Sequence, residues 1–251
     1  MNEIPNTTIY LEIAEKKIKA NVIYDSTAEF CKLFAIPACE VDFEVTVTAE
    51  KLDAAEKINR EILERDGVTD YVPSRQYIEY LALHKEIADV MPQFKTAVFH
   101  SSAISIDGRG ILFAALSGTG KSTHAGIWKK YFGDRVSYIN DDKPFVKVRD
   151  DGLYVFGSPW MGKHFLGANA SAPVAAIGII VRDEKNFAER VSAHDALATI
   201  FNQTYRPVGV SGMTQTVAIV KYIAEQVPIY KVHCNMDADA AAYIYKDIFG
   251  E

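Results

Sequence analysis

The segment 115–122, Ala-Leu-Ser-Gly-Thr-Gly-Lys-Ser, constrains the fold of this chain more than any other feature. It follows an apolar run over residues 111–116 and precedes a stretch with helical spacing over residues 122–131. Gly118 and Gly120 let the backbone turn so that its N–H groups point inward and form a concave anion nest. The positive end of the following helix adds to this attraction. The order strand, glycine loop, helix therefore predicts a site for a phosphate group.

The loop is close to the pattern G-x-x-x-x-G-K-[ST], with Ala115 where the first glycine belongs. We expect the ammonium group of Lys121 to lie between the outer phosphates of ATP and the hydroxyl of Ser122 to ligate Mg²⁺. A serine–glycine turn that merely opens a helix is the alternative, and the complete Ser-Gly-Thr-Gly-Lys-Ser-Thr string argues against it. The residues expected to contact the nucleotide are Ser117, Gly118, Thr119, Gly120, Lys121, Ser122 and Thr123.

Two adjacent carboxylates, Asp141 and Asp142, end the apolar run of residues 136–140. Phosphoryl transfer to an alcohol needs one carboxylate that holds the metal and one that accepts the proton of the hydroxyl. Adjacent side chains at a strand end point in different directions, so this pair can supply both roles. The alternative is a solvated turn, since Asp-Asp-Lys-Pro is also good turn chemistry.

Further candidates are cationic or titratable. His100 lies on a strand predicted over residues 97–106, and pairing of that strand with the next would bring it near the loop; a structural histidine is the alternative. Lys163 and His164 close a glycine-bounded loop, and Arg206 follows a helix. Such side chains can offset the charge of a migrating phosphoryl group, although plain loop geometry explains them equally well.

The chain divides into an α+β region over residues 1–94 and a nucleotide-binding region over residues 95–251. The turn at Asp107-Gly108 predicts a hairpin that delivers its second strand into the glycine loop. An α/β fold with a mixed sheet is therefore expected, rather than a simple doubly wound sheet. Strands are predicted over residues 7–13, 17–24, 41–47, 97–106, 111–116, 136–140, 145–148, 153–156, 174–181 and 228–234, and helices after Thr48, over residues 75–91, 122–131, 214–226 and 237–249, and from the cap Ser192.

Composition excludes several classes of protein. The chain is 49 % hydrophobic and 24 % charged, as in globular proteins, and its net charge of −6 without a Lys/Arg run argues against a nucleic-acid partner. Cys31, Cys39 and Cys234 form no C-x-x-C pair, which favours a reducing compartment. The longest apolar stretch, residues 174–181, is too short to span a bilayer, and the N-terminus has no signal-peptide pattern. We expect a cytoplasmic protein without a membrane partner.

Residues 111–143, read as ILFAALSGTGKSTHAGIW…INDDKP, resemble the P-loop kinases related to HPr kinase/phosphorylase. Residues 116–123 also resemble the loop of phosphoenolpyruvate carboxykinase, which belongs to the same structural superfamily. The resemblance extends over residues 99–234 and is closest to a bacterial HPr-kinase-like group that shares the stretches SGTGKSTH, NDDKP, PW-x-GK and Q-x-YRP. Some relatives of that type phosphorylate serine on a peptide. Residues 1–94 do not resemble the usual N-terminal domain of HPr kinases.

The resemblance implies a mixed-sheet P-loop kinase core of the HPr kinase/PEP carboxykinase type, preceded by a smaller α+β region. It matches Lys121 to the phosphate-binding lysine and Ser122 to the metal-binding hydroxyl. Asp141 and Asp142 match the acidic pair, in which one carboxylate acts as the base and the other serves the metal, and His100 matches a histidine at a similar distance upstream. We expect Asp141 to be the base and Asp142 to hold the metal, and the exchanged roles stay open. The implied activity is ATP- and Mg²⁺-dependent transfer to a serine-like hydroxyl of a peptide, carrier protein or small molecule. Members of the family often assemble, so the resemblance also allows a homo-oligomer.

Two departures from the family bear on the substrate. Thr123 replaces the acidic residue that follows the Lys-Ser pair in HPr kinases, and the segment linked to phosphorylase activity is absent. Both count against reversal by inorganic phosphate and against HPr as acceptor. Lys163 or Arg206 is expected to offset charge in the transition state.

Two other functions stay open. A carboxykinase-like lyase would need a substrate arginine and extra metal-binding His and Lys residues that the sequence does not place. A nucleotide-binding sensor or scaffold needs no base, so the intact pair of Asp141 and Asp142 weighs against it.

Overall fold

The computed structural model describes residues 4–65, 67–68, 70–115 and 119–250. The chain forms two compact units, Met1–Val90 and Met91–Glu251. Helices and strands mix in both, and the sheet of the second unit contains parallel and antiparallel pairs. The expected α/β class with a mixed sheet is confirmed at this level. None of the helices in the described ranges is both long and apolar enough to cross a bilayer.

The first unit packs a small sheet with helices. Strands β1 and β2 form an antiparallel hairpin whose turn, Ala14-Glu15, has positive φ at both residues, and β3 pairs with β2 in parallel. The sequence predicted these strands but missed the short first helix, which begins where the buried carboxylate of Glu79 accepts hydrogen bonds from the backbone N–H groups of Ile23 and Tyr24. The elements are β1 Thr7–Ile13, β2 Lys16–Val22, α1 Asp25–Cys31, β3 Phe43–Thr46, α2 Ala49–Arg65 and α3 Arg75–Val90.

The second unit is built on a larger mixed sheet with helices on both faces. Its strands are β4 Thr96–Val98, β5 Ser102–Ile106, β6 Arg109–Ala114, β7 Val136–Asn140, β8 Phe145–Arg149, β9 Gly152–Phe156, β10 Ser171–Arg182, β11 Phe187–Arg190 and β12 Ile229–Cys234. Its helices are α4 Lys121–Phe132, α5 Ala193–Gln203, α6 Val210–Gln226 and α7 Ala240–Phe249. The strand order is β4-β8-β9-β10-β6-β5-β7, with β12 also paired to β10 and β11 to β12.

The central strand β6 explains why the sheet needs helices on both sides. Its side chains alternate between two cores: Leu112 and Ala114 belong to the cluster that includes residues of α5 and α6, and Ile111 and Phe113 to the cluster that includes residues of α4 and α7. A strand segment buried on both faces is apolar, as β6 is from Ile111 to Ala114.

The prediction of one continuous strand over residues 97–106 is wrong. The chain forms β4, which pairs with β8, and then β5, which pairs with β6 and β7. Between them, the N–H groups of Phe99, His100 and Ser101 donate to the carbonyls of Pro144, Gln203 and Asp142. Apolar residues continue across the break, so the sequence pattern cannot reveal the change of partner. His100 consequently lies in a connection and not within a strand.

The hairpin between β5 and β6 sets the direction of the strands around the site. Its two-residue turn has φ values of 50° at Asp107 and 77° at Gly108, which is the geometry expected of an Asp-Gly turn between paired strands. Because β5 is antiparallel to both β6 and β7, those two strands run the same way. The ends of β6 and β7 therefore lie at the same edge of the sheet as the start of β5.

Candidate functional site

The glycine loop leaves this edge of the sheet at the end of β6 and enters α4. Gly120 precedes the helix with φ of 115°, a conformation that favours glycine because it has no Cβ. The carbonyl of Thr119 accepts a hydrogen bond of 3.3 Å from Nε of Arg182, which ties the loop to the end of β10. Ser117 and Gly118, two of the predicted nucleotide contacts, lie outside the described residues.

Lys121, at the first position of α4, contacts the residue that follows β6. Its Nζ donates to the carbonyl oxygen of Ala115 at 3.3 Å, so the ammonium group bridges the two ends of the loop. Burial lowers the pKa of Lys121, while the charges of Asp142 and Asp141 oppose this shift. The predicted phosphate lysine thus shares one electrostatic environment with the predicted acidic pair.

Asp141 lies just beyond the end of β7 and is 7 % exposed. Its carboxylate accepts a hydrogen bond from the hydroxyl of Ser102, at the start of β5, and the hydroxyl of Ser122, in the first turn of α4, is close enough to lower its pKa. Burial raises the pKa of Asp141, and the two hydroxyl donors counteract part of that effect. The structure therefore joins three strand or helix ends through one buried carboxylate. The sequence analysis did not select Ser102, because only the pairing of β5 with β7 brings this residue next to Asp141.

Asp142 lies between a histidine and a lysine. Its Oδ1 lies 3.3 Å from Nε2 of His100, and its Oδ2 lies 2.5 Å from Nζ of Lys143. Burial, and next the charge of Lys121, lower the pKa of His100, whereas Asp142 opposes them. A lowered pKa favours the neutral imidazole at neutral pH, so His100 can accept or donate a hydrogen bond beside Asp142.

Asn140 holds the acidic pair in place. Its fully buried Oδ1 accepts from the backbone N–H groups of Asp142 at 2.9 Å and Lys143 at 2.8 Å. Its Nδ2 donates to the carbonyl of Ser158 at 3.1 Å and to the hydroxyl of Ser158 at 3.0 Å. The hydroxyl of Ser158 in turn donates to the carbonyl of Lys143 at 2.7 Å. The sequence analysis did not select Asn140 or Ser158, although an asparagine directly before two aspartates is a signal of a built turn.

The loop after β9 passes over the acidic pair. A Cβ added at Gly162 would lie 3.1 Å from Cβ of Asp142, so only a residue without a side chain fits there easily. His164, in the same loop, is exposed. Lys163, between these two residues, is exposed. The loop thus approaches Asp142 at Gly162, and the next residue, Lys163, lies on the surface.

Arg206 is placed less directly. The backbone just before it contacts the His100 connection, since the N–H of His100 donates to the carbonyl of Gln203. The guanidinium carbon of Arg206 lies 5.6 Å from the centre of the Phe201 ring, and the residue is exposed. Thr123 is likewise exposed on α4. The structure therefore brings together Lys121, Ser122, Asp141, Asp142 and His100, whereas Lys163, Thr123 and Arg206 are exposed.

The oxygen atoms at this edge fit a hard divalent cation. The hydroxyl of Ser122 and the carboxylates of Asp141 and Asp142 are ligands that Mg²⁺ prefers. In the part of the chain that the structure describes, no cluster of three or more His, Cys, Asp or Glu side chains is arranged to hold a metal ion. Mg²⁺ is commonly held by one or two carboxylates together with phosphate oxygens, so this donor set suits an ion that arrives with a nucleotide.

Comparison with known proteins gives one remote similarity to report. No protein-family model matches the chain, and no curated protein matches it. Among solved structures, the Hpr(Ser) kinase/phosphatase from Coxiella burnetii matches with 11 % sequence identity over 56 % of this chain and 79 % of that chain, at a TM-score of 0.29. A similarity this distant assigns neither a fold family nor an activity.

Proposed function

We propose that this protein is an ATP- and Mg²⁺-dependent kinase with a P-loop core of the HPr kinase type. The acceptor is a serine-like hydroxyl on a peptide, a carrier protein or a small molecule. One observation carries the proposal: a lysine and a serine that open a helix after a glycine loop converge with two carboxylates and a histidine at one sheet edge. Phosphoryl transfer needs this combination of phosphate clamp, metal ligands and proton acceptor.

Lys121, at the start of α4, binds the outer phosphates. The expected metal ligands are Ser122 and Asp142, and Mg²⁺ at this position neutralises charge on the phosphate oxygens. Lys163 or Arg206 adds positive charge from the surrounding loops when the nucleotide and the acceptor are bound.

Asp141 is the proposed base. Burial raises its pKa, which makes its carboxylate a stronger proton acceptor than a surface aspartate. It also already accepts a hydrogen bond from a hydroxyl group, that of Ser102. His100 orients Asp142 through the 3.3 Å contact.

The hydroxyl of Ser122 lowers the pKa of Asp141, and this proximity supports an exchanged assignment as a second candidate. A carboxylate that contacts the metal-binding hydroxyl is well placed to share its ion, and Asp142 beside His100 would then accept the proton. Single-turnover transfer and Mn²⁺ affinity in the presence of ADP, measured on Asp141→Asn and Asp142→Asn, separate the two. The base variant loses transfer and keeps its Mn²⁺ affinity, whereas the metal variant loses affinity as well.

The nucleotide itself is tested by calorimetry with Mg²⁺ and ATP or ADP. We expect Lys121→Ala to abolish the binding seen in the unaltered protein, because the ammonium group is the charged clamp of the loop. The absence of magnesium-linked affinity in the unaltered protein would remove the basis of the proposal. Acceptors are sought by incubation with γ-labelled ATP and panels of metabolites, peptides and carrier proteins.

Two other outcomes favour the competing functions. Nucleotide turnover that depends on oxaloacetate or bicarbonate would indicate a carboxykinase-like lyase. Tight ATP binding without a labelled acceptor in any panel would indicate a sensor or scaffold.

We also propose that residues 1–94 recognise the acceptor, since the glycine loop and the acidic pair both lie in residues 95–251. We propose a cytoplasmic location and expect no contact with nucleic acid. Light scattering tests whether the protein forms a homo-oligomer.

A further inference from the structure

A cavity of about 470 Å³ lies beside the start of α4. Thr119, Gly120 and Thr123 line it from the loop and helix. Asp141, Asp142 and His100, the residues of the proposed transfer chemistry, are not among its walls. The cavity is therefore continuous with the phosphate-binding segment but separate from the reacting end.

The remaining walls combine apolar and polar side chains. Ile127 from α4, Ile180 from β10 and Met236 after β12 supply apolar surface. Arg182 and Asp183, at the end of β10, supply charge. Small-molecule sites of a few hundred Å³ with mainly apolar walls and a few polar groups are typical of cofactor and nucleotide binding.

Hydrogen bonds within the protein fix the rim of the cavity. Asn235 bridges the segment after β10 and the segment after β12. Its backbone N–H donates to Oδ1 of Asn186 at 2.9 Å, and its Nδ2 donates to the carbonyl of Glu184 at 3.0 Å and to Oδ2 of Asp237 at 2.7 Å. These bonds fix both segments relative to each other, so the opening between them has a defined shape.

His124 contributes an unused donor to the same wall. Trp128 donates to Nε2 of His124 at 3.0 Å, so the proton of the neutral ring resides on Nδ1. Nδ1 is buried and has no hydrogen-bond partner within the described residues. Burial also lowers the pKa of His124 to about 4, so the ring is neutral at physiological pH. A buried N–H without a partner is uncommon in folded proteins.

We infer that this cavity binds the nucleoside portion of the nucleotide whose phosphates occupy the glycine loop, an inference that rests on the proposed function. The base lies against Ile127, Ile180 and Met236. The carboxylate of Asp183 accepts a hydrogen bond from a hydroxyl of the sugar or an N–H of the base. The site is new relative to the predicted contacts, which end at Thr123.

The test compares Mg²⁺–ADP with Mg²⁺–pyrophosphate by calorimetry, because pyrophosphate carries the phosphates without a nucleoside. We expect the unaltered protein to bind ADP at least about tenfold more tightly than pyrophosphate, since only ADP reaches the apolar walls. Ile127→Trp fills the cavity and should weaken ADP by about tenfold or more while pyrophosphate changes by less than about twofold.

A second variant guards against misfolding. Met236 is 73 % exposed, so Met236→Ala cannot disturb the core, and it should weaken ADP by about threefold with no effect on pyrophosphate. Tyr131→Trp is the matched control, since it enlarges an exposed aromatic residue one turn further along α4, outside the cavity walls.

The outcomes separate this inference from the proposed function. If pyrophosphate and ADP bind equally well, or if Ile127→Trp and Met236→Ala leave ADP affinity unchanged, the cavity is not the nucleoside site, although phosphate binding stands. If neither ligand binds the unaltered protein, the proposed function fails, and the inference fails with it.

Discussion

Replacement of Asn140 by alanine tests the hydrogen bonds that hold the acidic pair in place. The side chain is fully buried and makes hydrogen bonds to the backbone N–H groups of Asp142 and Lys143 and to the carbonyl and hydroxyl of Ser158. The N–H of Lys143 keeps a second acceptor, the carbonyl of Trp160 at 3.2 Å, but the N–H of Asp142 loses its side-chain partner. At about 1 kcal/mol for each lost bond, plus the cost of an unsatisfied group, we expect a loss of about 2–4 kcal/mol in the free energy of unfolding.

That loss is a large share of the stability of a typical domain, about 5–15 kcal/mol. Urea denaturation monitored by tryptophan fluorescence measures it, since Trp160 is buried beside the same hydrogen bonds. Asn202→Ala on the exposed side of α5 is the control and should change stability by less than about 0.5 kcal/mol. A loss below about 1 kcal/mol for Asn140→Ala would refute the reasoning, because it would mean that these hydrogen bonds are readily replaced by water.

Three further predictions concern stability in the absence of ligand. Asp141→Asn should raise the free energy of unfolding by about 1 kcal/mol near pH 7; because burial raises the pKa of Asp141, the gain should vanish as the pH falls and the carboxylate is protonated. Gly157→Ala should destabilise by about 3 kcal/mol or more, since its Cβ would lie 1.9 Å from the carbonyl oxygen of Ala168, whereas Gly126→Ala, whose nearest neighbour is at 3.7 Å, should stabilise α4 by up to about 1 kcal/mol in thermal or urea unfolding. Burial lowers the pKa of His124 to about 4, so the neutral ring stabilises the folded chain fully above pH 6.5, and this stability is lost as the pH falls and the unfolded chain takes up a proton. In EDTA, the free energy of unfolding of the unaltered protein should therefore fall by about 2 kcal/mol more than that of His124→Gln between pH 8 and pH 5. Parallel pH profiles of the two proteins would contradict this.

Local features of the fold were predictable because they are encoded within a few neighbouring residues. The Asp107-Gly108 turn is a hairpin with positive φ at both residues, as predicted. Ser192 caps α5, and its hydroxyl accepts from the N–H of Asp195 at 3.2 Å, as the capping pattern predicted. The helix that follows the glycine loop begins at Lys121, within one residue of the predicted start.

Helical spacing does not by itself show which apolar residues are buried, because burial depends on distant neighbours. Ile58 and Ile62 have helical spacing with Leu52 in α2, yet they are 47 % and 40 % exposed, and only Leu52 of the three is buried. The strand predicted over residues 174–181 extends to Ser171–Arg182, because its first residues pair with β9 and its last residues with β12. Spacing reports which residues can share a face, but the partner that covers the face is set elsewhere in the chain.

By itself, the sequence determined the glycine loop, the lysine and serine that follow it, and the two aspartates at a strand end, since each is a short motif with its own chemistry. Only the tertiary structure decided that Ser102 contacts Asp141, that His100 contacts Asp142, and that Asn140 brackets the turn. The physical reason is the antiparallel placement of β5 between β6 and β7, which brings segments far apart in the chain to one edge. Hydrogen bonds across that edge depend on strand register, and no short stretch of residues specifies it.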